Sequence, residues 1–266
     1  MKNIKLSDFS SWEDYYRTYQ NLLAKEYYIP YLKNQKVPLN ENILDIGCGN
    51  GGFVDAIRAL SNSSNNLIKG IDIKAFSSWD SSNTSYNVHN ILEDDNKDYE
   101  KKYNLVILRD VIEHIHKKDK DRFMRRAMSF LKSDGKMLVT FPPYRSPFGL
   151  HQQAIMKSFL KYIPFLSLLP KSILKKLVYR FENENIWIEI EGIINSGMTI
   201  SKFKKISKKA GFSIHKERYF SIRPSHEIRY GIKTSRSLFG YFPLVREFLV
   251  LGTCYILKIK NNNPSN

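Results

Sequence analysis

Residues 43–53 read ILDIGCGNGGF, a short apolar run that passes into four glycines within six positions. Ile43, Leu44 and Ile46 have the composition of a buried strand, and the glycines that follow suit a tight turn. The apolar residues of the next segment, 51–60, repeat at helical spacing. A strand that enters a glycine turn and then a helix lets the backbone approach a ligand closely. The segment therefore predicts a strand–turn–helix unit at a binding site.

Strand and helix signals alternate along most of the remaining chain. The predicted strands are 41–48, 67–73, 85–90, 103–110, 136–141, 213–220 and 247–259. The predicted helices are 51–60, 119–132, with Gly135 as the cap residue just beyond it, and 196–211, and a polar turn is predicted at 61–66. Because the strands are almost continuously apolar, the pattern predicts an α/β fold with a mostly parallel, seven-stranded sheet covered by helices on both faces.

Composition argues against several classes of protein. The 266 residues are 42% hydrophobic and 26% charged, which is typical of a folded globular chain rather than a disordered one. No apolar run approaches the roughly 20 residues of a spanning helix, and the first residues lack the apolar stretch of a signal peptide. Cys48 and Cys254 show no metal-ligand spacing, which argues against a disulfide scaffold or a zinc site. We expect a cytoplasmic protein without a bound metal.

Positive charge is concentrated in the second half of the chain. The net charge is +16, and residues 141–266 hold 21 of the 42 basic residues but only 7 of the 26 acidic ones. One interpretation is a lysine-rich solvated surface. The other is an anionic partner, such as a phosphate-bearing substrate, a membrane surface or nucleic acid.

Two carboxylates favour a cationic, ribose-bearing ligand over a dinucleotide. Asp45 precedes the first glycine of the turn, where a dinucleotide site usually keeps an apolar residue because a negative group would face the pyrophosphate. Asp72 ends the second predicted strand, where it is placed to accept hydrogen bonds from a ribose diol.

These motifs resemble class I S-adenosylmethionine-dependent methyltransferases over residues 41–142. The further matching segments are Gly70–Ile73, Asn90-Ile91, Leu108–Ile115 and Leu131–Lys136. The Glu113-His114 pair after the fourth strand is similar to the type 11/23 branch that contains ubiquinone O-methyltransferases. The resemblance implies a Rossmann-like sheet whose last strand is antiparallel, with S-adenosylmethionine as the methyl donor and S-adenosylhomocysteine as the product.

The resemblance also assigns residues to the methionine and ribose of the donor. It implies that Asp45 holds the methionine amino group, directly or through water. Gly47, Cys48 and Gly49 would pass under the methionine and ribose, and Gly51 completes the glycine motif.

The ribose hydroxyls and the adenine are assigned to the ends of the second and third strands. Asp72 would accept from the ribose, and Ile73 would pack on the adenine. Asn90 and Ile91 stand where the family reads the adenine, although Asn90 replaces the usual aspartate.

Beyond the fourth strand, Leu108 and Arg109 would line the methionine end through backbone contacts. We expect one domain over residues 1–266. Its parts are an N-terminal helical lid (1–40), a cofactor-binding core (41–146), an inserted helical lid after the fifth strand (147–195) and the C-terminal part of the sheet (196–260).

Histidine is the first candidate for a catalytic base. Methyl transfer from a sulfonium is an in-line displacement, and a hydroxyl acceptor must lose a proton. His151 follows the fifth strand, at the carboxyl edge where ligands bind in open α/β sheets. His114 and then His226 rank behind it, and Glu113 is a candidate as the neighbour of His114. The alternative for the Glu113-His114 pair is a helix start without chemistry.

The expected activity is methylation, most readily at oxygen, of a small-molecule, sugar-linked or lipid-linked acceptor. The apolar and basic stretch at 155–181 is interpreted as a lid over the acceptor, with peripheral contact to an anionic membrane as the alternative. The lysines at 196–211 leave an RNA-directed enzyme as another alternative, but no nucleic-acid recognition motif accompanies them. A further alternative is a domain that binds the cofactor without turnover.

Overall fold

The computed structural model describes residues 3–60, 67–79 and 85–260, so the turn predicted at 61–66 lies outside the described residues. The strands are β1 (Ile43–Ile46), β2 (Ile68–Asp72), β3 (Tyr86–Val88), β4 (Tyr103–Arg109), β5 (Leu131–Phe141), β6 (Phe212–Ile222), β7 (Ser235–Arg236) and β8 (Gly252–Ile259). They form one eight-stranded sheet in the order β3-β2-β1-β4-β5-β8-β6-β7.

The sheet is mostly parallel, as predicted. Strands β1 to β5 pair in parallel, and β8 is inserted antiparallel between β5 and β6. The predicted antiparallel orientation of the last strand is therefore confirmed. The predicted count of seven strands is wrong, because the two-residue β7 pairs with the outer edge of β6. A strand this short is too brief to show any alternation in the sequence.

Helices connect the strands and precede the sheet. The helices are α1 (Trp12–Leu23), α2 (Ile29–Asn34), α3 (Gly52–Arg58), α4 (Lys120–Ser129), α5 (Gln152–Ile155), α6 (Lys171–Phe181), α7 (Glu184–Ser196), α8 (Ile200–Lys209), α9 (Pro224–Tyr230) and α10 (Arg246–Leu249). A single π-helical stretch, Ala24–Tyr28, joins α1 to α2, so residues 12–34 run as one nearly continuous helical segment.

Both faces of the sheet are buried against helices. Alternate residues of β4 point to opposite faces: Val106 and Leu108 belong to one apolar cluster, and Leu105 and Ile107 belong to the other. The first cluster includes α4 and α8, and the second includes α1, α2 and α3. The predicted two-sided coverage is confirmed, which explains why β4, in the middle of the sheet, is almost continuously apolar.

Several element boundaries differ from the predictions, and two of the differences have a clear structural reason. Gly135 is not a helix cap, because α4 ends at Ser129 and Gly135 lies within β5. The register between β4 and β5 shifts there, since Tyr103 pairs with Leu131 but Leu105 pairs with Lys136. Extra residues therefore bulge out of β5, and the bulge has no signature in the apolar pattern. The last strand also begins later than predicted, because residues 246–249 form α10.

The segment 147–195 interrupts the alternation, as predicted, and builds an apolar cluster of its own. Leu174 and Val178 of α6 are buried with Trp187 and Ile190 of α7. The amphipathic face of α6 is therefore used for internal packing. In the described residues, no helix combines the length and the hydrophobicity needed to cross a membrane.

The N-terminal helix α1 lies against the glycine turn and α3. The Arg17 side chain contacts Asp55 of α3 at 2.6 Å, and the Asn21 side-chain amide donates to the Gly52 carbonyl at 3.2 Å. These contacts hold α1 beside the carboxyl ends of the central strands, where the candidate site lies.

Candidate active site

The glycine turn after β1 adopts a backbone that side chains would obstruct. Gly47, Gly49 and Gly51 have φ of +72°, +56° and +84°, in the left-handed region that glycine tolerates. A Cβ on Gly47 would lie 2.4 Å from Val111 Cγ2, and one on Gly51 would lie 2.5 Å from the Tyr86 hydroxyl. Gly47 and Gly51 are therefore required both by the left-handed backbone and by the lack of space for a Cβ atom.

A cavity of about 290 Å³ lies at the carboxyl ends of β1, β2 and β4, and we call it the donor cavity. Its lining includes five of the residues predicted to bind the donor: Gly47, Asp72, Ile73, Asn90 and Ile91. Most of the other lining residues are apolar, among them Ile71, Leu92 and Phe123. A mostly apolar slot with Asp72 at the end of β2 suits a nucleoside, whose base is buried and whose ribose presents hydroxyls.

Asp72 is held in a defined position at the end of β2. Its Oδ2 accepts a hydrogen bond from the Gly49 amide at 2.9 Å, so the glycine turn and the second strand are tied together. A carboxylate accepts several hydrogen bonds at once, which leaves capacity for the hydroxyls of a ligand.

Asn90 is fixed by its own loop. Its Oδ1 accepts from the Leu92 amide at 3.0 Å, and its backbone amide donates to Asp94 Oδ2 at 2.7 Å. His89, in the same wall, contacts Asn96 Oδ1 through Nε2 at 2.8 Å. The Asn90 side-chain oxygen therefore accepts a hydrogen bond within its own loop, which fixes the amide group in the cavity wall.

A second cavity, of about 300 Å³, adjoins the first, and we call it the acceptor cavity. Much of its wall is formed by helix α1, the end of β4, the loop after β5, Arg223 after β6, and α9. Its polar lining includes Tyr16, Tyr19, Gln20, Arg109, Asp110, His114, His151, Arg223, His226 and Arg229. Gly47, Asp110 and His114 line both cavities, so the two spaces meet at these residues.

Asp110 is the central carboxylate of the junction. Arg223 Nη2 donates to both of its oxygens, at 2.6 and 2.8 Å, and Thr140 Oγ1 donates to Oδ1 at 3.1 Å. Burial opposes its ionisation, but Arg223 and Arg109 outweigh burial and hold the pKa of Asp110 below its ordinary value. Asp110 is therefore ionised at neutral pH.

The structure brings the three candidate histidines to one cavity. The rings of His114 and His151 lie edge to face, with centroids 5.5 Å apart. Burial, together with His114 and Arg223, lowers the pKa of His151 to about 4. Burial also lowers the pKa of His114, and burial with Arg223 and Arg229 lowers that of His226 to about 4. All three rings are neutral at pH 7 and available as proton acceptors.

Comparison with known families assigns this arrangement. The family model described as a methyltransferase domain matches residues 14–217, which is most of the chain. The chain belongs to this methyltransferase family. The family uses S-adenosylmethionine as methyl donor, and the predicted class I resemblance is confirmed at this level. A comparison with curated proteins found no significant match.

Solved structures share this fold. An S-adenosylmethionine-dependent methyltransferase from Archaeoglobus fulgidus has a TM-score of 0.51 at 15% identity, covering 95% of this chain and 96% of that one. The 1,6-didemethyltoxoflavin-N1-methyltransferase of Burkholderia thailandensis has a TM-score of 0.51 at 11% identity, covering 96% and 87%. A plantazolicin methyltransferase reaches 0.50 at 12% identity, covering 91% and 86%. The last two were crystallised with S-adenosylhomocysteine.

The residues of this methyltransferase fit S-adenosylmethionine. Asp72 and the apolar slot suit the adenosine. Asp45 is 1% exposed, and both of its oxygens lack a hydrogen-bond partner among the described residues. Its nearest cation is Arg109 Nη2, at 4.0 Å. Burial raises the pKa of Asp45 to about 6, although Arg109 opposes this. Asp45 itself lines neither cavity, so its contact with the donor's amino group stays a prediction.

Three other residues predicted to bind the donor, Cys48, Leu108 and Arg109, do not line the donor cavity. Leu108 is fully buried within β4 and Cys48 is buried behind the glycine turn, so neither lines a cavity. Arg109 was expected to contribute its backbone, but its side chain lines the acceptor cavity. There Arg109 donates to Gln20 Oε1 at 2.5 Å and stacks 3.8 Å above the Phe53 ring.

Glu113 lies outside both cavities of the methyltransferase. It is 4% exposed, and neither side-chain oxygen has a hydrogen-bond partner among the described residues. Burial and the charge of Asp110 raise the pKa of Glu113 well above its ordinary value. Lys120, fully buried nearby, donates to the Ile112 carbonyl. Glu113 therefore lines neither cavity, whereas the adjacent His114 lines both.

Asp110, Arg223 and Arg229 were not predicted to line the acceptor site. Asp110 and Arg223 are 113 positions apart, so their pairing has no local signature. A signal was present, however, since Arg223, His226 and Arg229 cluster in the segment IRPSHEIRYG between two predicted strands. Among the described residues, no group of three or more His, Cys, Asp or Glu side chains could hold a metal ion.

We predict that Asp72→Ala weakens binding of S-adenosylhomocysteine by roughly 10- to 100-fold, because hydrogen bonds to a charged group contribute about 1.5–3 kcal/mol. Isothermal titration calorimetry provides the measurement. Asp95→Ala serves as the matched control, since Asp95 is exposed and lies outside the donor cavity. Asp72→Asn keeps an acceptor for the Gly49 amide. A loss of affinity in this variant therefore reports the contact with the ribose rather than a change in the glycine turn. Equal affinities for native protein and Asp72→Ala would contradict the assignment.

Proposed function

We propose that this methyltransferase transfers the methyl group of S-adenosylmethionine to an oxygen of a small-molecule, sugar-linked or lipid-linked acceptor, with His151 as the base. The observation that carries the proposal is the junction of the two cavities at Gly47, Asp110 and His114. A donor in the first cavity can present its methyl group there to an acceptor in the second. The similarity of the Glu113-His114 pair to the ubiquinone O-methyltransferase branch also supports an oxygen acceptor.

The chemistry requires positioning, exclusion of water and one proton transfer. When bound, S-adenosylmethionine supplies an activated methyl group on a sulfonium. As the acceptor oxygen forms its bond to the methyl carbon, the carbon–sulfur bond breaks and the hydroxyl proton passes to His151. The neutral ring of His151 has a free nitrogen for that proton, although a pKa of about 4 makes it a weak base at neutral pH. Asp110, which is ionised, favours the protonated form of the ring.

We further propose that the N-terminal and inserted segments are lids over the acceptor. Helix α1 contributes Tyr16 and Tyr19 to the acceptor cavity. The inserted segment contributes His151 and Ala154. Both segments therefore have side chains where the acceptor would lie, and their movement would control its entry and the exclusion of water.

A nitrogen acceptor is the second candidate. The Burkholderia thailandensis neighbour is named as an N1-methyltransferase acting on 1,6-didemethyltoxoflavin, so the fold accommodates this chemistry. A neutral nitrogen attacks through its own lone pair and does not need prior deprotonation. Loss of His151 should therefore slow methylation of an oxygen acceptor but not of a nitrogen acceptor.

We predict that His151→Asn lowers kcat by about 10²–10⁴-fold while leaving the affinity for S-adenosylhomocysteine unchanged. Asparagine suits the site because His151 has φ of +55°, a conformation that asparagine tolerates. The measurement is S-adenosylhomocysteine release with hydroxylated acceptors found by screening. His116→Asn is the control, since His116 lies outside both cavities.

The pH profile provides a second check on the same residue. The base is active when neutral, so activity should stay level from pH 8 to 6 and fall as the pH approaches about 4. Unchanged turnover in His151→Asn would remove its role as base and favour a nitrogen acceptor.

We also propose peripheral contact with an anionic membrane through the inserted segment. Phe159 and Tyr162 are 54% and 70% exposed, and the Phe159 ring lies against Phe181 on the surface. Lys161 and Lys175 lie in the same segment, and they complement anionic headgroups. Two of the five α8 lysines, Lys204 and Lys209, pair with carboxylates, so part of the positive charge of α8 is compensated within the protein rather than left for an RNA backbone.

We predict that vesicles containing phosphatidylglycerol retain the protein at moderate salt, whereas pure phosphatidylcholine vesicles do not. The double variant Phe159→Ser with Tyr162→Ser should lose this retention, because it removes the exposed aromatic surface. Val88→Ser is the control, as it removes an exposed apolar residue elsewhere. The measurement is co-sedimentation. Equal sedimentation of the double variant and the control would contradict the membrane contact.

A further inference from the structure

The acceptor cavity has an excess of positive charge. Three guanidinium groups, Arg109, Arg223 and Arg229, line it, and Asp110 is the only carboxylate among the described lining residues. The histidines there are neutral at pH 7. A cavity with this balance attracts an anionic ligand and repels a cationic one.

Two of the three arginines have a carboxylate nearby. Arg223 donates to both oxygens of Asp110, and Arg109 lies 4.0 Å from Asp45. For Arg229, no ion pair with a described residue is present, and its Nε is buried without a hydrogen-bond partner among the described residues. Arg229 is thus the arginine whose charge the protein leaves uncompensated.

The surroundings of Arg229 are aromatic rather than acidic. Its guanidinium carbon lies 4.2 Å from the centre of the Tyr19 ring. Tyr15, Tyr16 and Tyr230 are the other neighbouring groups that raise the pKa of Arg229. Tyrosine rings orient a guanidinium and limit its contact with water, but they supply no countercharge. A partly desolvated cation held in this way is prepared to pair with an anion that enters the cavity.

We propose that Arg229 binds a carboxylate or phosphate group of the methyl acceptor. This proposal rests on the assignment of the second cavity to the acceptor. The donor also carries a carboxylate, but Arg229 is not part of the donor-cavity lining. Arg109 is not part of it either, although it directly precedes Asp110 at the junction and lies 4.0 Å from Asp45. Of the two arginines, Arg109 is therefore the one that contacts the segment leading into the glycine turn.

The proposal is tested by binding rather than by turnover, so its outcome does not depend on His151 or on the class of accepting atom. Protein saturated with S-adenosylhomocysteine is titrated with two matched pairs of probes. The pairs are phenyl phosphate with phenol and 4-hydroxybenzoate with 4-hydroxybenzamide. We expect at least one anion to bind about tenfold or more tightly than its neutral partner, as a charge-assisted contact requires.

Arg229→Gln should reduce this preference to about one, and Arg229→Lys should retain part of it. Arg125→Gln is the control, because Arg125 is exposed and lines neither cavity. Affinity for S-adenosylhomocysteine should be the same in all four proteins, which also shows that each is folded. Equal binding of charged and neutral probes, no binding of any probe, or an unchanged preference in Arg229→Gln would overturn the proposal. Loss of S-adenosylhomocysteine binding in folded Arg229→Gln would assign the residue to the donor and overturn it as well.

Discussion

The ion pair between Asp110 and Arg223 holds the site together. Asp110 follows β4, Arg223 follows β6, and Thr140 of β5 donates to the same carboxylate, so one residue connects the carboxyl ends of three strands. Asp110 has φ of +54°, a conformation that costs about 1–3 kcal/mol for a residue other than glycine and persists only when its surroundings impose it. The hydrogen bonds from Arg223 Nη2 and Thr140 Oγ1 fix the carboxylate where the two cavities meet.

The electrostatics of the site follow from this junction. Burial and Arg223 lower the pKa values of His151 and His226 and keep both rings neutral, while Arg223, together with Arg109, lowers the pKa of Asp110 and keeps it ionised. Neutral bases beside a fixed carboxylate suit removal of a proton from a hydroxyl as the methyl group is transferred. Arg229 adds a charge that this arrangement does not use, and an anionic acceptor accounts for it.

Much of the donor side could be predicted from the sequence, because its signals are local. The glycine turn, Asp72 and the strand ends each lie within a few residues of the motif that reveals them. The acceptor side depends on distant pairs, such as Asp110 with Arg223, and on side-chain directions, such as that of Arg109 toward Gln20. The extra strand β7 and the bulge at Gly135 were missed for a related reason. Both result from pairing with a neighbouring strand rather than from any periodicity of their own.

The most direct test of the two-cavity account is a crystal structure of the protein with S-adenosylhomocysteine. The account predicts adenosine in the donor cavity with its ribose hydroxyls on Asp72. The thioether sulfur should face the junction of Gly47, Asp110 and His114, directed at the arginine-lined acceptor cavity. Adenosine bound among the arginines, or a sulfur directed away from Asp110 and His114, would contradict the account.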